Sequence, residues 1–542
     1  MAFIRTFQES CAFAKFDNLY SSYVMFGNFN MAITCIIVLL LAGSYLGGTQ
    51  PTGKPHLVFM LVDDWGWANV GYHRNPPTKE VVTPNIDNLV KEGLELDQHY
   101  AFQFCSPSRS CLMSGRLPIH VNDKNDDPTY YNPNDPISGF AAIPRNMTGL
   151  ATKLKQAGYA THQVGKWDAG MATPDHTPLG RGFDSSLGYF HHANDYYTET
   201  AGNCNSTAHK GRIVDLWETD KPAHGMNGTG PDNYEEGLFR ERLLKIVEEH
   251  DTSTPLFLYY APHIVHAPLE VPEKYLNMFS FIDDHDRQYY HAMVTYLDDV
   301  VGDLVAALKK RDMWSNLLFV SSSDNGGPVY PGGGANNYPL KGGKVSDWQG
   351  GVRVNAFVSG GYLPEKMQGQ KTDGYIHLAD WYGTFCKIAG VDPTDDRAAK
   401  AKLPPVDSFN MWPLISGETT TSPRTDVPIS IYTLISGDYK ILTGDVPQAG
   451  WTGPQYPNLT NPNGGIRDIE HCSDSGCLYN IKQDPEERKN LASEMPDMLK
   501  EMQAKLDKVK ATYFNPDRGH EWPGACETAV DKYGGFWGPF LP

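Results

Sequence analysis

Seven polar residues each follow a run of apolar residues that is typical of a buried β-strand, and together they could bind an anion and a metal ion. The seven are Asp63, Asp64, Cys105, Lys166, His266, Asp324 and Asn325. Open α/β sheets bind ligands beyond the carboxyl ends of their strands, so we expect these side chains to meet in one crevice. Three carboxylates and an amide supply oxygen ligands that suit calcium or magnesium. Taken singly, each aspartate is also consistent with a turn or a helix cap.

The segment 105–109 (CSPSR) predicts a helix that begins at the cysteine, because proline is favoured in the first turn and a serine precedes it. A helix N-terminus presents backbone N–H groups and the positive end of the dipole, which favour an anion or a depressed thiol pKa. Arg109 adds a side chain that can bind an oxyanion through two hydrogen bonds. From spacing alone, a disulfide cysteine before a capped helix is an alternative interpretation.

The strands that would position these residues are predicted from apolar runs at 56–62, 94–104, 159–164, 255–260 and 317–320. Helical patterns alternate with them. One helix begins at Thr83 and Pro84, and apolar residues at helical spacing continue through 293–308. Alternating strands and helices are typical of an α/β protein.

Residues 105–116 (CSPSRSCLMSGR) resemble the signature of the type I sulfatases, in which the cysteine is converted to formylglycine by a dedicated enzyme. Further segments at 158–167, 323–327, 342–353 and 477–491 are also similar to that family. The resemblance runs from about residue 56 to residue 492. Residues 265–273 and 537–539 resemble the branch that contains arylsulfatase B most closely.

The resemblance implies one calcium ion per chain, which also contacts the formylglycine at position 105 and a sulfate oxygen. Its other implied ligands are Asp63, Asp64, Asp324 and Asn325. The implied partners are a sulfated carbohydrate or aryl sulfate substrate and the formylglycine-generating enzyme.

The resemblance also implies roles for four basic residues. Arg109 would orient the formylglycine, and Lys166, His266 and Lys344 would grip the sulfate. One hydroxyl of the aldehyde hydrate would attack sulfur and expel the alcohol, and loss of a proton from the other would release sulfate. His266 or Lys344 would protonate the leaving group, with His266 the first candidate.

The chain departs from the family pattern at one position. The family usually has Gly-Lys-Trp-His-Leu-Gly, whereas residues 165–170 read GKWDAG. The family histidine, which helps to deprotonate the formylglycine hydroxyl, is thus replaced by Asp168. A carboxylate is a competent base, although it places negative charge beside an anionic group. Our hypothesis is that Asp168 is the base, with His176 as a second residue that could reach the site.

Two other functions remain open at this stage. The superfamily also contains phosphodiesterases and phosphonate hydrolases, some of which use formylglycine. A catalytically silent protein that binds sulfated glycans and keeps Cys105 unmodified is the third reading.

The first residues predict export from the cytosol. Residues 31–46 form an uncharged apolar run, so we interpret 1–53 as a leader with a signal peptide or a membrane anchor. Four N-glycosylation sequons support export: Asn146, Asn205, Asn227 and Asn458. We expect a secreted or lysosome-like protein that contacts membranes only if the leader stays uncleaved.

Seven cysteines follow the leader, which is an odd number. In an oxidising compartment six could pair, or two of those six could stay reduced. Cys472 and Cys477 are close enough in sequence to close a small loop.

A formal charge of −18 over 542 residues excludes a basic nucleic-acid binder, so no nucleic-acid partner is expected. An anion site in this chain has to depend on local cations and a metal ion. The resemblance implies the alkaline-phosphatase-like sulfatase fold. We therefore predict an α/β catalytic domain at 54–406, with a large mixed sheet sandwiched by helices, and a smaller C-terminal α+β subdomain at 407–542.

Overall fold

The computed structural model describes residues 53–205, 210–453 and 468–542. The predicted leader, apart from Gly53, and the sequon at Asn458 lie outside these residues. Asn227 is exposed and Asn146 is half-buried. Within the described ranges, no helix combines the length and the apolar character needed to cross a bilayer.

Ten described strands form the main sheet. In spatial order they are Lys221–Pro222, Trp217–Glu218, Ser185–Tyr189, Ala160–Lys166, Leu256–Ala261, His56–Val62, Leu317–Ser323, Ala356–Ser359, Leu94–Leu96 and Gln370–Thr372. The five strands from Ser185–Tyr189 to Leu317–Ser323 run parallel. Antiparallel neighbours flank them on both sides. The prediction of a large mixed sheet is confirmed.

Helices cover both faces of this sheet. The described helices of seven or more residues are Pro84–Lys91, Cys105–Ser114, Leu150–Gln156, Glu235–Glu249, His285–Lys310, Asp380–Ala389, Pro496–Lys510 and Pro523–Asp531. Alternate residues of the fully buried strand His56–Val62 belong to two different apolar clusters. Leu57 packs with residues of helix Asp380–Ala389, whereas Val58 packs with residues of helix His285–Lys310. A strand buried on both faces explains its continuous apolar run.

One strand prediction is wrong. Residues 94–104 do not form a single strand: Leu94–Leu96 lies near the edge of the main sheet, and His99–Tyr100 pairs in a separate two-stranded sheet. Apolar content alone did not reveal the break between them. Cys105 is therefore placed by the start of a helix and not by the end of a parallel strand.

A second sheet packs against the region that contains Lys344. It is antiparallel and consists of Asp426–Ser430, Thr433–Ser436, Tyr439–Leu442 and Cys477–Asn480. One face packs on helix Pro496–Lys510, and the other packs on Trp348 and Val352. Residues 53–542 group as one compact unit, so the division at residue 406 stays a prediction.

The buried carboxylate of Glu487 links this second sheet to the main body. Lys440 Nζ lies 2.6 Å from Glu487 Oε1, and Gln349 N donates to Glu487 Oε2 at 2.7 Å. Nearby, Gln448 Nε2 donates to the backbone oxygen of Lys344 at 2.5 Å. Residues late in the chain thus hold the segment 344–349 in place.

Two disulfides are present among the described cysteines. Cys472 pairs with Cys477, as the spacing suggested, and Cys204 pairs with Cys526 on helix Pro523–Asp531. Cys105, Cys111 and Cys386 are buried thiols. The structure therefore agrees with the alternative in which two cysteines, Cys111 and Cys386, stay reduced in addition to Cys105.

Candidate active site

The parallel strands bring the predicted polar residues to one edge of the sheet. Val62 is in register with Ser323, and Ala261 with Gly165, so the residues that follow come out side by side. The buried residues at this edge are Asp63, Asp64, Lys166, Asp324 and Asn325. Helix Cys105–Ser114 begins against them, as predicted for the cysteine.

Asp63 lies between a lysine and the cysteine. Its Oδ2 accepts a hydrogen bond from Lys166 Nζ at 2.7 Å, and its Oδ1 is 3.6 Å from Cys105 Sγ. Burial raises the pKa of the Cys105 thiol well above its usual value, and Lys166 and Lys344 oppose this only in part. Of the two alternatives offered by the helix N-terminus, an anion or a depressed thiol pKa, the second is wrong, because desolvation outweighs the two lysines. An unmodified thiol here is a poor nucleophile at neutral pH.

Arg109 binds a carboxylate of the protein. Its Nε and Nη2 both donate to Asp324 Oδ2, at 3.1 and 2.8 Å, and Nη1 donates to the backbone oxygen of Lys166 at 3.4 Å. Burial opposes the charge on Arg109, but Asp324 and Asp63 outweigh it and raise the pKa. The guanidinium fork that could bind an external oxyanion is thus occupied by Asp324, and Arg109 fixes that carboxylate.

Lys344 and His266 meet at Asp64. Lys344 Nζ is 2.8 Å from Asp64 Oδ1 and 2.9 Å from His266 Nε2. His266 Nδ1 is 2.6 Å from the oxygen of Ala267, to which only a protonated nitrogen can donate. Nε2 therefore accepts from the lysine, and the imidazole is neutral. Burial and the neighbouring Lys344 lower the pKa of His266 to about 3, in agreement with that tautomer.

One group of side chains could hold a metal ion. Ligand atoms of Asp63, Asp64, Cys105 and His266 all lie within 4.8 Å of one another. Beside them, Asn325 Nδ2 donates to Asp64 Oδ1 at 2.7 Å, and Asn325 Oδ1 is buried without a hydrogen-bond partner among the described residues. A buried oxygen with free lone pairs next to carboxylates suits a hard divalent cation.

Asp168 lies beside this group, and its hydrogen-bond partner is the partly exposed His192. Its Oδ2 is 3.7 Å from Lys166 Nζ, and its two oxygens are 3.1 and 3.2 Å from His192 Nδ1. Burial raises the pKa of Asp168, but His192 and Lys166 outweigh it and bring the pKa down to about 2. His176 does not meet Asp168, because its ring closes the turn that starts at Thr173.

Two glutamates position the segment that leads to His266. Glu236 Oε1 accepts from the backbone N–H groups of His263 and Ile264, at 2.6 and 3.0 Å. Glu235 Oε2 is 2.9 Å from His263 Nδ1. Both glutamates begin helix Glu235–Glu249 and are fully buried. They fix the loop between strand Leu256–Ala261 and His266.

Glu236 makes stability depend on pH. Burial raises its pKa from 4.5 to about 7, against the backbone N–H groups that stabilise the carboxylate. Between these values the folded state holds a proton that the unfolded chain has lost, so stability falls as pH rises through the window. We expect Glu236→Gln to remove a pH-dependent loss of about 3 kcal/mol. Urea unfolding at pH 4.5 and pH 7 measures the change in the free energy of unfolding between the two pH values. The same change in the wild type and in Glu236→Gln would refute the prediction.

Sequence reasoning missed three residues that shape the site. Tyr290 OH donates to the backbone oxygen of Asp64 at 2.7 Å. The other two are Glu236, which fixes the loop before His266, and His192, which contacts Asp168. Tyr290 belongs to helix His285–Lys310 and has the spacing of a packing residue. Weak signals in the sequence could have found the other two. Glu236 follows another glutamate at the start of a helix, and His192 follows another histidine after a strand.

Comparison with known proteins gives concordant matches. A family model described as Sulfatase matches residues 55–391, which is more than half of the chain. Mouse arylsulfatase J is 33% identical over 521 residues, covering 91% of this chain and 81% of that protein. Pig N-acetylgalactosamine-6-sulfatase is 30% identical over 393 residues, covering 71% of each. A solved structure of Ps i-CgsB in complex with k-i-k-neocarrahexaose matches with a TM-score of 0.68 and 26% identity, covering 89% of this chain and 98% of that one.

Proposed function

The chain belongs to the sulfatase family and hydrolyses sulfate esters, and we propose that its substrate is a sulfated sugar or polysaccharide. The observation that carries the proposal is the cluster of Asp63, Arg109, Lys166 and Lys344 around Cys105. One similar protein is named N-acetylgalactosamine-6-sulfatase, and the similar structure of Ps i-CgsB was solved in complex with k-i-k-neocarrahexaose. These two names support a sugar, whereas mouse arylsulfatase J is named for an aryl sulfate, so both kinds of ester enter the test below.

We propose further that Cys105 is converted to formylglycine and that the site holds one calcium ion. The residues that would hold it are Asp63, Asp64, Asp324 and Asn325, together with residue 105. Four carboxylates at the site, including Asp168, face three cations, so a divalent ion would turn a formal charge of −1 into +1. When bound, the ion and the modified residue supply charge neutralisation and an oxygen nucleophile.

The side chains of the protein would then divide the remaining tasks. Lys166 and Lys344 neutralise and orient the sulfate, since both ammonium groups are buried beside the reacting position. Arg109 holds the carboxylate of Asp324 in place through two hydrogen bonds. Lys344 carries the proton for the leaving alcohol, because His266 Nε2 accepts a hydrogen bond and holds no proton. This reverses the preference for His266 drawn from sequence.

Divalent ions should stabilise the chain through Asn325. We expect free calcium at 100 times its Kd to add about 2.7 kcal/mol of stability to unmodified protein, since it binds the folded state alone. Asn325→Ala should remove most of the gain, because it deletes the buried Oδ1 and leaves the charges unchanged. Thermal unfolding with calcium, magnesium or chelator measures it, with the exposed Asn277→Ala as control. Equal gains in both variants would contradict the assignment.

The function is tested by sulfate release. Full-length protein from a host that makes formylglycine is incubated with sulfated oligosaccharides, an aryl sulfate, a phosphodiester and a phosphonate ester. Free sulfate from the sugars, absent with Cys105→Ala, is the expected result. Faster hydrolysis of either phosphorus ester would identify the related hydrolase function. Binding of the sugars without turnover would identify a silent glycan-binding protein.

We also propose a place in the secretory pathway. Two disulfides and an exposed sequon at Asn227 support it, since both disulfides and N-glycans belong to oxidising, exported environments.

A further inference from the structure

We propose that His192, oriented by Asp168, supplies the imidazole that the family pattern places at position 168. His192 would accept a proton at the reacting centre, and Asp168 would be a positioning residue. The inference rests on the proposed function and names a further residue of the same reaction. It starts from a contact between two residues, one of which departs from the family pattern.

The contact fixes the protonation of the imidazole. Both oxygens of Asp168 lie within 3.2 Å of His192 Nδ1. Asp168 is ionised, so it can only accept, and Nδ1 must carry the hydrogen. In the neutral ring, Nε2 is then the free acceptor. No hydrogen bond reaches Nε2 from the described parts of the chain, and the side chain is 27% exposed.

A chain of contacts connects this pair to residue 105. Asp168 is next to Lys166, Lys166 binds Asp63, and Asp63 lies against Cys105. Asp168 is buried beside Lys166, whereas the side chain of His192 is partly exposed, so the pair extends from the buried charged cluster towards solvent. Asp168 has a φ of 46°, a left-handed conformation that aspartate, asparagine and histidine adopt more readily than most residues.

Asp168 alone is a weak base in this setting. Both of its oxygens are already engaged by His192 Nδ1 and one of them lies 3.7 Å from Lys166 Nζ, whereas an imidazole with a free Nε2 is suited to accept a proton. A carboxylate that holds Nδ1–H and leaves Nε2 free is the arrangement that orients histidine bases in hydrolases. The contacts therefore favour His192 as the acceptor over our earlier hypothesis for Asp168.

Other charged groups around His192 are compatible with this role. Besides Asp168, Asp127 interacts electrostatically with His192, and the adjacent His191 is bound to Asp215 at 2.8 Å. A positive charge that forms on His192 during turnover thus faces two carboxylates. In each turnover Nε2 takes one proton from an O–H bond at the reacting centre, leaving the electron pair on oxygen. The imidazolium then returns that proton to water.

Activity of three variants tests the inference. We expect His192→Ala to lower kcat about 10²–10³-fold with little change in KM, because the lost group acts on the reacting atoms and not on substrate binding. Added imidazole should restore part of the rate, and Asp168→His in the His192→Ala chain should restore it by returning the ring to position 168. The exposed His285→Ala serves as control. A His192→Ala loss below about tenfold, or a loss that neither treatment restores, overturns the proposal.

A readout that does not need turnover separates this proposal from the proposed function. Nitrogen-15 spectra of histidine-labelled, unmodified full chain should show His192 protonated at Nδ1. In Asp168→Asn the amide can donate to Nδ1, so the proton should move to Nε2. If the tautomer of His192 stays the same in Asp168→Asn, the proposed pairing of His192 with Asp168 is refuted. The expected change, in a chain whose wild type releases no sulfate, would instead refute the proposed function.

Discussion

Cys105→Ala should abolish sulfate release, with a loss of at least about 10⁴-fold, while the chain still folds. Removing a nucleophile that forms a covalent intermediate costs rates of this order or more. Alanine fits where the cysteine lies, and it removes no hydrogen bond except the weak one to Asp63. Turnover and the melting temperature of the same preparation measure the two effects separately.

The mass of the peptide that contains Cys105 is the matched measurement on the wild type. Conversion to formylglycine replaces sulfur and two hydrogens by one oxygen, so the peptide becomes lighter. Full activity with an unmodified thiol would contradict the proposal. An unmodified thiol without activity, in protein from its native source, would favour the silent glycan-binding alternative.

Lys344→Met should slow hydrolysis of a sugar sulfate about 10²–10⁴-fold, the range typical of a general acid. The loss should be much smaller on an aryl sulfate, because a phenolate is a good leaving group that needs little protonation. His266→Gln should show a smaller difference between the two substrates, since His266 Nε2 accepts from Lys344 and has no proton to give. Steady-state kinetics on both substrates measure these ratios.

The comparison of the two substrates separates acid catalysis from binding. A lysine that only grips the sulfate would weaken both substrates by the same factor, because they share the sulfate group. Equal losses for Lys344→Met would therefore refute its role as the acid. If the losses on the two substrates differ more for His266→Gln than for Lys344→Met, the histidine is the acid.

The central sheet could be predicted because burial on both faces leaves a clear sequence pattern. The strand His56–Val62 is apolar from Leu57 onwards, and its parallel neighbour places Asp63 and Asp324 together by register. The edge of the sheet could not be predicted in this way. Residues 94–104 mix apolar and polar residues, and they divide between two short strands because their partners come from distant parts of the chain.

Individual contacts of the site were less predictable than its position. The pKa of Cys105 depends on how completely folding removes it from water, which no local motif reports. The substitution at Asp168 was visible in the sequence, but its partner was not. His192 comes from the loop after strand Ser185–Tyr189, and only the pairing of that strand with Ala160–Lys166 brings it near.

The burial of Cys105 would set a time limit on its proposed conversion to formylglycine. The cysteine is fully buried in the folded chain, so the converting enzyme would have to act before the chain has folded, and Gln448 and Glu487 are late residues that contact the segment 344–349. Glu487 is synthesised 382 residues after Cys105. At about 5–20 residues per second, that distance corresponds to roughly 20–80 s. Folded thiol protein should accordingly resist conversion by the purified enzyme, whereas a nascent chain that ends before residue 448 should accept it.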